Sequence, residues 1–150
     1  MLRVQRLLFW LAGCLLAPAA LALPQCSDVA NRVNQQAGNT LDSVELTRVV
    51  QSLNQSGKLP DSFVTKRQAK AAGWQPGRNL WSVPGLQGKS IGGDRFGNFE
   101  KRLPKGQWQE ADLNYKGGKR GAYRLVFSPR GQRFVTIDHY NRFIEVAPCR

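Results

Sequence analysis

The chain contains a single histidine, His139, within the segment TIDHY (residues 136–140). Imidazole is the side chain that most readily gains and loses a proton near neutral pH. A lone histidine is more often a surface or packing residue, but a carboxylate and an aromatic ring flank this one. These neighbours favour a loop that both titrates and stacks, so His139 is a candidate general acid.

Glu110 is a candidate partner for that acid. It lies in WQEAD (residues 108–112), where the alternation of a strand places Glu110 and Asp112 on one face. Two interpretations remain open. The acids are salt-bridge partners of Arg120 and Arg124 on the next hairpin limb, or Glu110 stays ionised among cations and acts as a general base. A Glu and a His on opposite sides of a phosphodiester would serve as base and acid.

The charge of the chain indicates an anionic ligand. The 150 residues include 22 Lys+Arg and 10 Asp+Glu, a net charge of +12, which suits nucleic acid, an anionic membrane surface or an acidic protein. The basic residues are spread along the chain, which predicts a folded cationic face. One His and three Cys are too few for a zinc cluster, so we expect no metal or cofactor.

Two segments between residues 89 and 100 have weaker signals. KSIGGD (89–94) is similar to a glycine-rich loop but lacks the spacing of a nucleotide P-loop, so its glycines indicate close backbone packing. GNFE (97–100) is turn-like, and its amides and carboxylate suit the edge of a guanine. Four aromatic residues either stack bases or belong to the core: Phe96, Phe99, Trp108 and Tyr140.

The first 22 residues have the pattern of a signal peptide. Arg3 and Arg6 precede an apolar stretch at 7–17, and Ala-Leu-Ala at 20–22 suits signal peptidase, which predicts secretion. The stretch is short and interrupted by Pro18, unlike a membrane span. An alternative is lipid attachment at Cys14, which follows Leu-Ala-Gly.

Cleavage near Ala22 leaves Cys26 and Cys149, near opposite ends of the mature chain. An even number of cysteines in an oxidising compartment favours a disulfide, the alternative being two free thiols. A bridge closing so long a loop would stabilise the fold by up to about 4–5 kcal/mol.

The remaining pattern predicts one α+β domain over residues 23–150. Apolar spacing predicts three helices, the first capped by Ser27 and ending near Gly38, the second between Asp42 or Ser43 and Ser56, the third between Thr65 and Gly73. Alternation predicts later strands at 108–115, 123–127, 134–137 and 142–146. Helices followed by such a run favour helices packed on one face of an antiparallel sheet.

Four blocks, taken together and in order, resemble the barnase/binase family of secreted, guanyl-preferring microbial ribonucleases: residues 57–74, 89–104, 108–115 and 136–140. The resemblance spans residues 41–147, with 23–40 as an N-terminal extension. It implies the microbial ribonuclease fold and cleavage of single-stranded RNA after guanosine. It further implies a metal-independent transesterification to a 2′,3′-cyclic phosphate, followed by hydrolysis.

The resemblance also implies roles for individual residues. Glu110 would be the general base and His139 the general acid. The cations on the scissile phosphate would be Lys66, Arg120 and Arg124. The guanine would be bound by the loop Phe96 to Glu100, through the amides of Asn98 and Phe99 and the Glu100 carboxylate, with Tyr140 beside it. Asp94 and Asp112 would orient the Lys and Arg side chains.

The chain departs from the family pattern at Phe99, where the family usually has Arg. The exchange removes a cation from the mouth of the site and keeps the amide. The extension and the Cys26/Cys149 pair are absent from the best-known members.

The competing hypothesis is a non-catalytic cationic protein that binds nucleic acid or membranes with antimicrobial effect. It predicts binding that weakens with salt and yields no cyclic phosphate. The partners expected for the enzyme are RNA and an acidic, barstar-like inhibitor, because opposite charge speeds capture of a basic nuclease. We expect a monomer without stable membrane association.

Overall fold

The computed structural model describes residues 22–150 together with Gly13. The helices are α1 (Cys26–Gln36), α2 (Ser43–Ser56) and α3 (Lys66–Ala71), followed by one 3-10 turn (Leu80–Ser82). The strands are β1 (Phe63–Val64), β2 (Ser90–Phe96), β3 (Trp108–Asp112), β4 (Arg124–Phe127), β5 (Arg133–Thr136) and β6 (Ile144–Glu145). The predicted signal peptide, apart from Gly13 and Ala22, and the alternative lipid site at Cys14 lie outside the described residues. None of the helices described is long and apolar enough to cross a membrane.

The six strands form one sheet in sequence order, from β1 to β6. All neighbours are antiparallel except β1 and β2, which run parallel. The predicted α+β class, with helices first and a meander after them, is confirmed. The predicted strands at 108–115 and 142–146 were too long, since β3 ends at Asp112 and β6 has two residues.

The sequence pattern did not predict strands β1 and β2. The segment interpreted as a glycine-rich loop is a strand, with an irregular register between Gly92 and Asp94 where it pairs with β3. The expected close packing is present, because a Cβ atom on Gly92 would lie 2.6 Å from Cδ1 of Phe63. The glycines therefore let β1 and β3 approach β2 closely.

Helix ends follow local capping chemistry. Asp42 accepts a hydrogen bond from the Glu45 amide at 3.0 Å and begins α2, which ends at the left-handed Gly57. Thr65 and Gln68 form a reciprocal capping box at the start of α3. The prediction for α1 was wrong at its start, because the helix begins at Cys26, before Ser27, and has no side-chain cap.

The two faces of the sheet have different roles. On one face, Ala111, Leu125 and Val135 pack with the buried residues of α1 and α2. On the other face, Trp108 and Val126 form a smaller apolar cluster with Leu103 and neighbouring aromatic rings. Because side chains alternate along a strand, the second face also carries Glu110 and Asp112 of β3 and Arg124 of β4.

The ends of the domain are joined. Cys26 and Cys149 form a disulfide across 123 positions, with Cα atoms 4.9 Å apart. The Cys26 amide donates to the Arg150 carbonyl, and the Arg150 amide to the Pro24 carbonyl, both at 2.9 Å. Residues 23–40 are thus part of the core, since α1 buries Val29 and Val33.

Candidate active site

A cavity of about 410 Å³ opens on the second face of the sheet. It is lined by ten of the residues predicted for catalysis, phosphate binding or base binding: Lys66, Phe96, Asn98, Phe99, Glu100, Glu110, Arg120, Arg124, His139 and Tyr140. Four lining residues were not predicted: Arg95, Gly97, Arg102 and Phe143. Asp94 and Asp112 do not line the cavity, but each contacts residues that do.

Regular elements and loops contribute to the cavity in different ways. Strands β3 and β4 present Glu110 and Arg124 on the same face, and Lys66 is the first residue of α3. Three loops complete it: β2–β3 with the candidate base-binding residues, β3–β4 with Arg120, and β5–β6 with His139 and Tyr140. The rigid strands therefore hold the buried groups, and the loops supply the exposed ones.

Glu110 lies on the cavity floor with 9% of its surface exposed. Its Oε1 lies 4.0 Å from the Lys66 Nζ, and its Oε2 accepts a hydrogen bond from the Tyr140 hydroxyl. Burial of the phenol, and then the Glu110 carboxylate, raise the pKa of Tyr140 far above its usual value. Tyr140 therefore remains a protonated donor throughout the neutral range.

His139 is exposed, and its backbone is in the left-handed region with a φ of 54°, as is that of Tyr140 at 71°. Non-glycine residues adopt this conformation only where the surroundings impose it, and such positions concentrate at functional sites. Here the His139 amide donates to the Ala122 carbonyl at 3.2 Å, and the Tyr140 amide to the Thr136 hydroxyl at 3.0 Å. These bonds hold the imidazole at the cavity edge.

Asp112 organises the two arginines. Its side chain is 3% exposed and accepts two hydrogen bonds of 2.7 Å from Arg120. The Arg124 Nε lies 2.8 Å from the same carboxylate as an ion pair outside hydrogen-bond geometry. Burial alone would lower the pKa of Arg120, but the hydrogen bonds and charge of Asp112 raise it. The sequence interpretation of Asp112 as a salt-bridge partner thus matches the contacts.

Asp94 makes a different contact from the one expected. The resemblance implied that it orients a cationic side chain, whereas its Oδ2 accepts a hydrogen bond of 3.0 Å from the Lys66 backbone amide. Free amides at the start of a helix need such acceptors. Asp94 therefore fixes the start of α3, and it acts on the Lys66 side chain only through the backbone.

The β2–β3 loop is shaped by Asn98, whose side chain donates to the Leu103 carbonyl at 2.9 Å and accepts from the Leu103 amide at 3.2 Å. Among the described residues, the amides of Asn98, Phe99 and Glu100 have no protein acceptor. The Glu100 carboxylate is held by Arg102 at 2.7 Å. The loop therefore offers free donors beside a fixed acceptor.

Arg102 is a residue that sequence reasoning missed. Besides Glu100, its guanidinium contacts the Asn141 carbonyl at 3.0 Å, so it joins the β2–β3 loop to the β5–β6 loop. The sequence shows only one basic residue among many, and no spacing distinguishes it. Phe96, the last residue of β2, and Tyr140 of the β5–β6 loop stack with ring centres 4.7 Å apart.

Comparison with known proteins agrees with this geometry. A family model described as ribonuclease matches residues 47–147. The chain belongs to this ribonuclease family. The barnase/binase-like resemblance found in the sequence is thereby confirmed, and RNA is the substrate that the family implies.

Curated relatives of this ribonuclease are similar over most of their lengths. A ribonuclease of Bacillus intermedius is 38% identical over 141 residues, covering 83% of this chain and 86% of the relative. One of Bacillus pumilus has the same identity and coverage. One of Heyndrickxia coagulans is 47% identical over 93 residues, covering 59% of this chain and 84% of the relative.

The ribonuclease cavity combines the groups that acid–base chemistry at a phosphate requires. A buried carboxylate and an exposed imidazole line the same space, and three cations surround them: Lys66, Arg120 and Arg124. Such fixed positive charges can stabilise the extra negative charge of a phosphorane-like transition state.

Proposed function

We propose that this ribonuclease is a guanyl-preferring endoribonuclease that cleaves single-stranded RNA by metal-independent transesterification. The observation that carries the proposal is that Glu110 and His139 line one cationic cavity. A protein that only binds RNA has no need for a buried carboxylate facing an imidazole among phosphate-binding cations.

In the first step Glu110 accepts the proton of the ribose 2′-hydroxyl, and the 2′-oxygen forms a bond to phosphorus. The bond from phosphorus to the 5′-oxygen breaks, and His139 donates a proton to that leaving oxygen. The products are a 2′,3′-cyclic phosphate and a free 5′-hydroxyl. Because Oε2 of Glu110 already accepts a hydrogen bond from Tyr140, we assign the hydroxyl proton to Oε1.

In the second step the two roles are exchanged. His139, now neutral, accepts a proton from water, whose oxygen attacks phosphorus, and Glu110 returns its proton to the departing 2′-oxygen. The cyclic phosphate opens to a 3′-phosphate. DNA lacks the 2′-hydroxyl, so the mechanism predicts that DNA binds without being cut.

Lys66, Arg120 and Arg124 bind the non-bridging phosphate oxygens. Their charge offsets the negative charge that accumulates in both transition states, and the protein groups are already in position before the reaction. The nucleophile of the first step belongs to the substrate itself, so the mechanism assigns no step to a metal.

The β2–β3 loop supports the guanine preference. The free amides of Asn98 and Phe99 can donate to the guanine O6, and the Glu100 carboxylate can accept from its N1–H and N2 amino group. Adenine presents neither that acceptor nor those two donors together. A site built to bond such groups discriminates strongly against a base that leaves them unpaired.

The test is digestion of GpN and ApN dinucleotides with EDTA present, with identification of the products. We expect faster cleavage of GpN, a 2′,3′-cyclic phosphate intermediate, and a rate that falls on both sides of a pH maximum. Glu110→Gln and His139→Ala should each lose about 10²-fold or more. RNA binding without a cyclic product, or full activity in either variant, would refute the mechanism.

Secretion and an acidic inhibitor remain part of the proposal. The disulfide supports export, because such bridges persist in oxidising compartments. The net charge of +12 and the cationic cavity favour an acidic inhibitor that covers the active site. Detection of the mature chain, beginning near Leu23, in the culture medium or periplasm would test the first point.

A further inference from the structure

Phe99 is a large apolar side chain that the fold leaves in solvent. It is 93% exposed, and the other exposed large hydrophobic residues in the described part of the chain are Leu23 and Val44. Of these three, only Phe99 lines the cavity. A folded protein gains nothing from presenting an aromatic ring to water, so its position at the cavity points to a ligand.

The ring lies next to Gly97, where a Cβ atom would collide with it, so glycine is required for this arrangement. The loop that carries it is fixed by the side chain of Asn98 and by the ion pair between Glu100 and Arg102. Because 93% of its surface is exposed, the ring is accessible to a flat partner.

Phe99 differs from the other aromatic rings of the cavity in its exposure. Inside the cavity, Phe96 and Tyr140 already stack on each other beside Glu110, whereas Phe99 stands at the open rim. Arg95 and Arg102 line the same cavity, and the charge of Arg102 is partly offset by its ion pair with Glu100. An aromatic face next to cations is the combination that binds single-stranded nucleic acid, with the base on the ring and the phosphates near the charges.

We propose that Phe99 forms an additional subsite, which stacks on a nucleobase of the RNA outside the two nucleotides that flank the scissile bond. The subsite rests on the proposed function, since only an RNA strand seated in the cavity passes over this rim. It gives the enzyme a preference for longer strands over dinucleotides that no amide or carboxylate of the loop supplies.

The experiment compares Phe99→Ala, Phe99→Leu and Phe99→Trp with the wild type on a GpN dinucleotide and on tetranucleotides with GpN at the centre. Two further tetranucleotides are abasic at one end: one keeps the 5′-terminal sugar without its base, and the other keeps the 3′-terminal sugar without its base. Val44→Ala is the matched control, because Val44 is 79% exposed on α2 and does not line the cavity. Binding is also measured with tetranucleotides that carry 2′-deoxyguanosine and cannot be cut.

For Phe99→Ala, the ratio of the tetranucleotide KM to the dinucleotide KM should rise by about 5- to 150-fold, the loss of one base–aromatic stack. Phe99→Trp should keep the wild-type ratio, and Phe99→Leu should fall between. Removal of one terminal base should abolish the difference between Phe99→Ala and wild type, and it identifies the side on which the base lies. Val44→Ala should match the wild type.

Equal changes on dinucleotide and tetranucleotide would overturn the subsite, and so would no change with either. The subsite would also be overturned if Phe99→Ala weakened binding to phosphatidylglycerol vesicles but left binding to the tetranucleotides unchanged. The uncut tetranucleotides separate this proposal from the reaction mechanism. If Glu110→Gln kept full activity, the mechanism would fail, while the effect of Phe99→Ala on binding would still decide the subsite.

Discussion

Asp112 is the residue on which the arrangement of the cavity cations depends. It is nearly inaccessible and contacts both Arg120 and Arg124, which bring two positive charges close together. Without an anion between them, like charges repel and their burial is not compensated. The carboxylate thus compensates the charge of the two arginines that line the cavity.

We expect Asp112→Asn to lower the free energy of unfolding by about 3–5 kcal/mol, because it leaves two partly buried guanidinium groups without a counter-charge. Activity should fall as well, since the arginines lose their fixed positions. Urea unfolding measures the stability change. The control is Glu145→Gln, which removes an exposed carboxylate from β6 and should change stability by less than about 0.5 kcal/mol. Equal urea midpoints for the two variants would contradict this account.

Tyr140 makes the free energy of unfolding depend on pH in the alkaline range. Burial chiefly, and the Glu110 carboxylate in addition, raise the pKa of its phenol. The unfolded chain ionises this group near pH 10, but the folded protein keeps it protonated, so the stability that the phenol contributes is present below about pH 10. That stability is lost as the pH rises further.

The free energy of unfolding should therefore fall more steeply above pH 10 in the wild type than in Tyr140→Phe, which has no group to ionise. The difference between the two curves cancels the titration of lysines, which both proteins share. Chemical denaturation at pH 8 to 11 measures it. Curves that stay parallel over this range would show that the phenol ionises equally in both states.

At the scale of elements, the cavity depends on two loops that are tied to each other. The β2–β3 and β5–β6 loops carry the candidate base-binding residues and His139, and Arg102 joins them through Glu100 and the Asn141 carbonyl. The ion pair is exposed and should contribute little to stability. Its effect should instead be seen in the position of Glu100.

Arg102→Ala should change the free energy of unfolding by less than about 1 kcal/mol. On the proposed function, it should lower the ratio of kcat/KM for GpN to that for ApN several-fold, because the Glu100 carboxylate is no longer held. Arg102→Lys keeps the charge but cannot form the forked pair of contacts, so it should restore the ratio only in part. An unchanged ratio in both variants would show that Arg102 does not position Glu100.

At the scale of the whole molecule, the disulfide closes the chain into a loop. Its cysteines lie 123 positions apart, on the side of the sheet where α1 and α2 pack, and the candidate active-site cavity lies on the opposite face. Most of its effect should therefore be on the unfolded chain, whose entropy the bridge reduces.

The Cys26→Ser/Cys149→Ser double variant should lose up to about 4–5 kcal/mol of stability and should keep near wild-type activity at 25 °C. Urea unfolding and dinucleotide cleavage measure the two quantities. Reduction of the wild type should shift the urea midpoint by a similar amount. Equal midpoints with and without the bridge would mean that the backbone bonds between the chain ends already provide this constraint.

The sequence was most informative where a local pattern has a local cause. The caps at Asp42 and Thr65 act through neighbouring amides, and the helices they begin were predicted close to their observed ends. Strand β2 was missed, because its glycines are explained by Phe63 and Ala111, which lie on other strands. Local propensity has no access to such partners.

The same division applies to the candidate site. The types of residue, their order and the family resemblance sufficed to predict Glu110, His139 and the three cations, because proton transfer and phosphate binding each require particular side chains. The roles of these residues remain predictions. The contact of Arg102 with Asn141 and the contact of Asp94 with the Lys66 amide could not be predicted, since each joins segments that are distant in sequence.

The amino-acid sequence by itself determined the class of fold and the chemical groups available for the reaction, because these follow from periodicity and residue type, and it indicated the family through four blocks that resemble known members. Tertiary structure alone decided which groups share a cavity, which carboxylate each cation contacts, and which aromatic ring stays in solvent. Those properties depend on distances between residues far apart along the chain, and only packing of the sheet, helices and loops sets them.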